Sequence, residues 1–290
     1  DRFRANLGAT PGTWTISQDT TVPTGQGFAK SVKYDCTTAN GSLAAGAFLL
    51  FEQQFEGQNL QYLKKGTANA ESTTLSFWVK SNKTGTYICE LLDTDNSRGI
   101  SKSYTINSAD TWEKKTITYA GDTSGAFDND NAASLRLFFW LAAGSDYTSG
   151  TLQTSWGTRV AANAAVGQVN LADNTANEWF VTGVQLEAGT TASDFEFLPR
   201  DVNAQRCNRY FQRYTSDFWI LIQRVSDSVR NANFILNPEM RATPTFTGTS
   251  STEIGNTSVS SASSKLVAFQ ESSSAGARPR YSDFNFSAEL

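Results

Sequence analysis

Apolar and polar residues alternate with a period of two along most of the first 198 residues. In Thr74–Lys80 the positions Leu75, Phe77 and Val79 fall on one face, as in a strand that turns one side toward a core. Tyr87–Leu91 follows across Ser81-Asn82-Lys83-Thr84-Gly85, a polar, glycine-containing connection that predicts a hairpin. Lys115–Tyr119 and Ser134–Leu141 repeat the alternation. In the second of these Leu135, Leu137, Phe139 and Leu141 are expected to point inward, with Arg136, Phe138 and Trp140 on the opposite face. Trp179–Leu186 reads as a closing strand. Loops rich in Gly, Asn, Asp, Ser and Thr separate these runs, among them the long stretch 144–175. No fixed-period repeat is present, which disfavours a β-helix or a propeller. Many short strands joined by such turns predict an all-β fold, an antiparallel jelly-roll sandwich over residues 1–199.

The character changes at Pro199. Cys207, Tyr210, Phe211 and Tyr214 stand at i, i+3, i+4 and i+7, which predicts a short linking helix over residues 200–214 with one apolar stripe. Arg200, Arg206, Arg209 and Arg213 occupy its other faces. Strand-like runs return at Phe218–Ile222, Ala232–Leu236 and Lys265–Phe269. Between Thr243 and Ser274, 16 of 32 residues are Ser or Thr, too polar to bury much apolar surface. Residues 200–290 are therefore expected to form the linking helix and a small β domain for oligomerisation, marginal alone and stabilised by copies of itself.

Composition narrows the chemistry. The chain of 290 residues carries no histidine, so Ser-His-Asp and Cys-His catalysis and any His-bearing zinc site are excluded. A net charge of −4 and a pI near 5.0 argue against a nucleic-acid surface. Cys36, Cys89 and Cys207 are far apart and odd in number, as expected of reduced thiols, mostly buried, in a protein made in a reducing cytosol. No run approaches 18 apolar residues, and no signal-peptide core stands at the start, so membrane insertion is not expected. The single methionine is Met240, and the sequence is expected to be the distal portion of a longer polypeptide.

Several stretches, in order, resemble a family of tailed-bacteriophage virion proteins of marine type, tail-fibre or structural proteins. They are Asp19–Lys33, Leu75–Ser81, Thr111–Lys115, Thr182–Gly189 and Arg206–Gln212. The resemblance implies a carbohydrate-binding-module-like jelly roll for the first domain. Pro238–Pro244 and the terminal Phe286–Leu290 resemble the ends of phage fibres, implying a homotrimer. Related sugar-binding modules often place a calcium-binding carboxylate in the closing strand, whereas Val181-Thr182-Gly183-Val184 offers none before Glu187.

Four candidate constellations remain, each with a functional and a structural reading. Asp93–Gly99 and Asp128–Asn131 present clustered oxygens suited to a hard cation, or to ordinary Asn/Asp turns between strands. In the long loop Tyr147, Trp156 and Arg159 are ligand-binding candidates, because rings stack on sugar faces while charged groups take hydroxyls; such rings also serve simply to pack a loop onto its sheet. Glu52, Glu56, Glu178 and Glu187 could supply a glycosidase pair, which needs only two carboxylates about 5–10 Å apart, yet no spacing selects one. Cys207, Tyr210, Phe211 and Tyr214 are candidate oligomer contacts, or one helix face packed on its own sandwich.

The expectation is a non-enzymatic phage virion protein, a tail-fibre or receptor-binding protein that adheres to host surface glycans as a homotrimer and contacts other virion proteins. The alternative is a capsid decoration or head-fibre protein that binds no glycan. A metal site, a cofactor and a nucleic-acid partner are not expected. The location is the virion, on the tail or the capsid surface.

Overall fold

A computed structural model describes residues 3–214, 218–219, 223–224, 230–250, 257–271 and 280–289. The chain divides into two units, Phe3–Glu196 and Phe197–Leu290 with Asp1–Arg2.

In the first unit two antiparallel sheets face each other. The six-stranded sheet runs β1 (Phe3–Gly8), β4 (Phe48–Glu56), β9 (Ala133–Ala143), β6 (Gly85–Asp93), β7 (Arg98–Ile106) and β10 (Gly157–Thr158). The five-stranded sheet runs β2 (Thr13–Asp19), β3 (Ser31–Thr38), β11 (Glu178–Ala188), β5 (Thr73–Ser81) and β8 (Glu113–Tyr119). This is a jelly-roll sandwich. Its core joins Leu75, Phe77 and Val79 of β5 and Trp179 and Val181 of the neighbouring β11 to Leu135, Leu137, Phe139 and Leu141 of β9 on the facing sheet. These are the positions that alternation assigns to the inside. At about 25 cal/mol per Å² of apolar area, burial of such large side chains on both sheets is the main stabilising term.

Strand β9 is covered on its other face as well. Phe138 and Trp140 join Leu50, Ile88, Ala164 and Ala165 in a second, smaller cluster outside the sandwich core. The long loop supplies that cover: Ser101 Oγ donates to the Ala164 carbonyl at 2.8 Å, and the Ile88 N–H donates to Gln168 Oε1 at 2.8 Å. Trp78, on the outer face of the five-stranded sheet, stays half-buried.

The connection at 81–85 is not a hairpin. Strand β5 pairs with β11 and β8, and β6 pairs with β7 and β9. Both edges of β5 are thus taken, and the chain crosses to the opposite sheet through Gly85 at φ 128°. The hairpin lies one element later, between β6 and β7, at Thr94–Ser97.

In the second unit helix α2 spans Arg200–Asn208 only. Phe211–Tyr214 is strand β12, paired with β19 (Arg280–Ser287), so the apolar spacing over 207–214 does not mark one continuous helix. Tyr210 is buried at the turn between the two elements, and its carbonyl accepts from the Ala288 N–H at 2.8 Å. Tyr214 stacks on Phe284 with centroids 5.0 Å apart, and aromatic pairing across strands outweighs the helical continuation. The same sheet holds β13 (Phe218–Trp219) and β16 (Thr245–Ser250). A second sheet runs β14 (Gln223–Arg224), β15 (Arg230–Ile235), β18 (Leu266–Glu271) and β17 (Thr257–Ala262). Residues 220–222 of the run at 218–222 fall outside the described residues. Among the described residues the core of this unit is Leu236, Met240, Val267, Phe269, Phe284, Phe286 and Ala288; Val267 and Phe269 come from the Ser/Thr-rich stretch.

Candidate functional site

The outward face of the six-stranded sheet is ordered in rows by strand register. One row is Arg4, Glu52, Phe138 and Glu90. The next is Asn6, Leu50, Trp140 and Ile88, and a third is Gln54, Arg136 and Leu92. Two carboxylates therefore stand on either side of Phe138, both buried.

Each carboxylate is saturated by its neighbours. Glu52 Oε1 accepts from Arg4 Nη2 at 2.9 Å and Gln54 Nε2 at 2.6 Å, while Oε2 accepts from Asn6 Nδ2 at 2.8 Å. Glu90 Oε1 accepts from Arg159 Nε at 2.6 Å; its Oε2 accepts from Trp140 Nε1 at 3.1 Å and Arg159 Nη2 at 3.3 Å. A charge removed from water costs several kcal/mol unless it is paired and hydrogen-bonded in this way.

Above these groups lies an open cleft of about 190 Å³. Phe48, Phe138, Trp140 and Tyr147 give it an aromatic lining, Leu50 and Leu92 complete the apolar part, and Asn6 and Arg159 supply the polar rim. Tyr147 is carried by the short helix α1 (Ser145–Thr148), and its ring centroid lies 5.1 Å from that of Trp140 and 5.8 Å from that of Phe48. Arg159 follows β10, where pairing with β7 brings its stem over Gly99. Long side chains held on a rigid sheet, with loop residues above, form the usual frame of a binding site.

Of the three residues that sequence singled out in the long loop, Tyr147 and Arg159 meet in this cleft and Trp156 does not. The Trp156 indole N–H donates to the Ala120 carbonyl at 2.7 Å, and Lys65 Nζ lies 5.5 Å from its ring. That ammonium is buried among Asp93 (2.5 Å), Asp122 (3.1 Å) and the carbonyls of Ser124 (3.0 Å) and Gly125 (2.6 Å). Burial pushes the Asp122 carboxyl up, but hydrogen bonds from Arg98, Lys65 and the Ser124 N–H outweigh it and hold the group below the usual carboxylate range. The Asp93–Gly99 run is thus a hairpin turn whose first carboxylate takes an internal ammonium, with Asp93 Oδ1 capping the N–H groups of Asp95 and Asn96. Among the described residues no group of three or more Cys, Asp or Glu side chains could hold a metal ion.

The other acidic candidates are dispersed. Glu56 accepts from Gln58, Glu178 pairs with Lys33 at 2.5 Å, and Glu187 accepts from Ser193 at 2.7 Å. Cys36 and Cys89 are buried free thiols, and burial pushes the Cys89 thiol well up. Cys207 lies on α2, Tyr210 at its end, and Phe211 and Tyr214 on β12. No helix among the described residues is long and apolar enough to cross a membrane.

Sequence reasoning missed Asn6 and Phe48, which carry no local signal, since only the register of β1 and β4 brings them to Trp140. Phe138 and Trp140 were legible as a second face of β9, though not as a cleft floor.

No family model matches the chain, and no curated protein matches it. Among solved structures it is similar to the enzymatically active domain of tailspike protein 4 of bacteriophage CBA120, at 14% identity and a TM-score of 0.37, covering 64% of this chain and 19% of that one. It is similar to the carbohydrate-binding module TmCBM61 in complex with β-1,4-galactotriose, at 10% identity and a TM-score of 0.33, covering 64% and 88%. A family 11 carbohydrate-binding module of a cellulosomal cellulase of Clostridium thermocellum is similar at 11% identity and a TM-score of 0.33, covering 66% and 90%. The chain spans about a fifth of the tailspike's length. The likeness is one of fold, and the cleft has to be read from this chain's own residues.

Proposed function

We propose that the first unit is a glycan-binding module and that the chain is an adhesin of a phage virion, a tail-fibre or receptor-binding protein working as a homotrimer. The observation that carries the binding reading is the open aromatic cleft on the six-stranded sheet, in which Tyr147 and Arg159 converge over Trp140 and Phe138. Rings present flat apolar faces to pyranose C–H groups, and the Asn6 amide and the Arg159 guanidinium take hydroxyls.

Binding is favoured over hydrolysis by the state of the two carboxylates. A glycosidase needs one protonated acid and one free base or nucleophile beside the scissile bond. Here Glu52 and Glu90 spend their oxygens on Arg4, Asn6, Gln54, Trp140 and Arg159. The fibre role rests on the sequence resemblance. Trimerisation is supported by the exposure of Phe211, Ile235 and Val259 in the second unit, large apolar groups that self-association would cover. Several shallow sites on one particle then multiply a weak affinity.

A glycan array probed with the full chain tests the reading. Retention of a defined class of saccharide, with about tenfold loss in Tyr147→Ala, is the expected result. Absence of any retained glycan would move the protein to the capsid-decoration alternative.

A further inference from the structure

Hydrogen-bonding capacity in the cleft is lopsided. The acceptors of Glu52 and Glu90 are used by their neighbours, whereas the donors around them are not all used. Arg159 spends Nε and Nη2 on Glu90 and keeps Nη1 without a partner among the described residues. Arg136, beside the cleft and outside its lining, makes no hydrogen bond among them: its Nη1 forms an ion pair with Glu52 Oε1 at 3.8 Å, and its Nε is buried with no hydrogen-bond partner. A buried guanidinium N–H without an acceptor is uncommon, because leaving it unpaired costs on the order of 1–3 kcal/mol.

The two guanidinium groups share a row. Arg136 is the register partner of Leu92, and Leu92 that of Gly99, over which the Arg159 stem runs. Two strand spacings place the Arg136 backbone about 10 Å from that of Gly99, beneath the Arg159 stem, with the cleft residue Leu92 between them. Glu52 and Glu90 pair with these arginines, so that with Arg4 the face carries three guanidinium groups against two carboxylates. Glu56 lies at the far end of β4 and accepts from Gln58, and Asp146, on α1, has Oδ2 directed toward Gly46. In a chain of net charge −4 this is a local excess of positive charge facing out, and Asn6 Oδ1 is the acceptor left on the rim.

We propose, resting on the glycan-binding reading, that the cleft takes an acidic saccharide, whose oxyanion is held by Arg136 and Arg159 while a sugar ring lies against Tyr147. A planar fork of N–H donors fits a carboxylate or a sulfate better than it fits neutral hydroxyls. Arg136 is the specificity-determining residue, and Arg159 both binds and keeps Glu90 neutralised.

The test uses the full chain against matched pairs of polysaccharides: uronate polymers with their carboxyl-reduced forms, and sulfated galactans with their desulfated forms. Binding is measured by calorimetry at low and at physiological salt. The expected result is that the acidic member of at least one pair binds about tenfold tighter, with a preference that shrinks as salt rises. Which pair responds tells carboxylate from sulfate. Arg136→Gln, which leaves Arg4 paired with Glu52, should abolish the preference while the thermal midpoint stays near that of the parent. Equal or tighter binding of the neutral members overturns the inference and leaves the glycan reading standing. Binding of no member of any pair overturns both.

Discussion

At the scale of single residues, Lys65 shows most plainly what sequence hides. Asp93–Gly99 has the oxygen-rich look of a cation loop, and the cation it meets is an ammonium from elsewhere in the chain, boxed by two carboxylates, two carbonyls and the rings of Phe127 and Trp156. Removing one partner of a buried pair leaves an uncompensated charge at a cost of about 3–5 kcal/mol. Lys65→Met is therefore expected to lower the chemical-denaturation midpoint sharply; an unchanged midpoint would show that the cage contributes nothing. Trp156 has the ring and the loop position of a sugar-stacking residue, and nothing local reveals that it caps Lys65. Glu113 gives a pH dependence. Burial raises its carboxyl, but hydrogen bonds from Lys115, the N–H groups of Ser108 and Asn107 and the Asn107 side chain bring it down to about 2. A carboxylate whose folded pKa lies below its unfolded value stabilises the fold above about pH 4 and loses that contribution as pH falls toward 2. Glu113→Gln should flatten the acid limb of the stability curve between those values and leave the neutral region lowered by about 1 kcal/mol after allowance for solvent screening.

At the scale of elements, period-two alternation was enough to place β5, β8, β9 and β11 and to tell the inside of β9 from its outside. Pairing was not legible. The connection at 81–85 has hairpin composition, but whether two successive strands pair depends on which other strands occupy their edges, and β11 and β8 are remote in sequence. The helix over 200–214 failed for a similar reason, since Tyr214 gains more from Phe234, Phe284 and Phe286 than from another helical turn. The closing-strand motif Thr182-Gly183-Val184 has a structural explanation. Gly183 sits in a bulge of β11 at φ 60°, and a Cβ there would come within 2.4 Å of the Phe28 ring. Gly183→Ala combines a left-handed backbone with that clash and is expected to cost about 1–3 kcal/mol, read as a lowered thermal midpoint with no change in secondary structure by circular dichroism.

In the whole molecule, a large sandwich with an aromatic cleft on one sheet accompanies a smaller β unit whose core mixes aliphatic and aromatic side chains. The polarity of Thr243–Ser274 and the exposed Phe211, Ile235 and Val259 suit a part that gains stability from copies of itself. Deleting residues 200–290 should give monomers in light scattering, and a truncated protein that stays trimeric would place the contacts in the sandwich. The hydrogen bonds at Glu52 and Glu90 engage both oxygens of each carboxylate. On the proposed reading the six-stranded sheet, and not its opposite, faces the ligand. Calorimetric titration of the full chain with its preferred saccharide tests this most directly, comparing Tyr147→Ala in the cleft with Trp78→Ala on the outer face of the five-stranded sheet. The expected result is about tenfold weaker binding for Tyr147→Ala and parental affinity for Trp78→Ala; loss confined to Trp78→Ala would put the ligand on the five-stranded sheet instead.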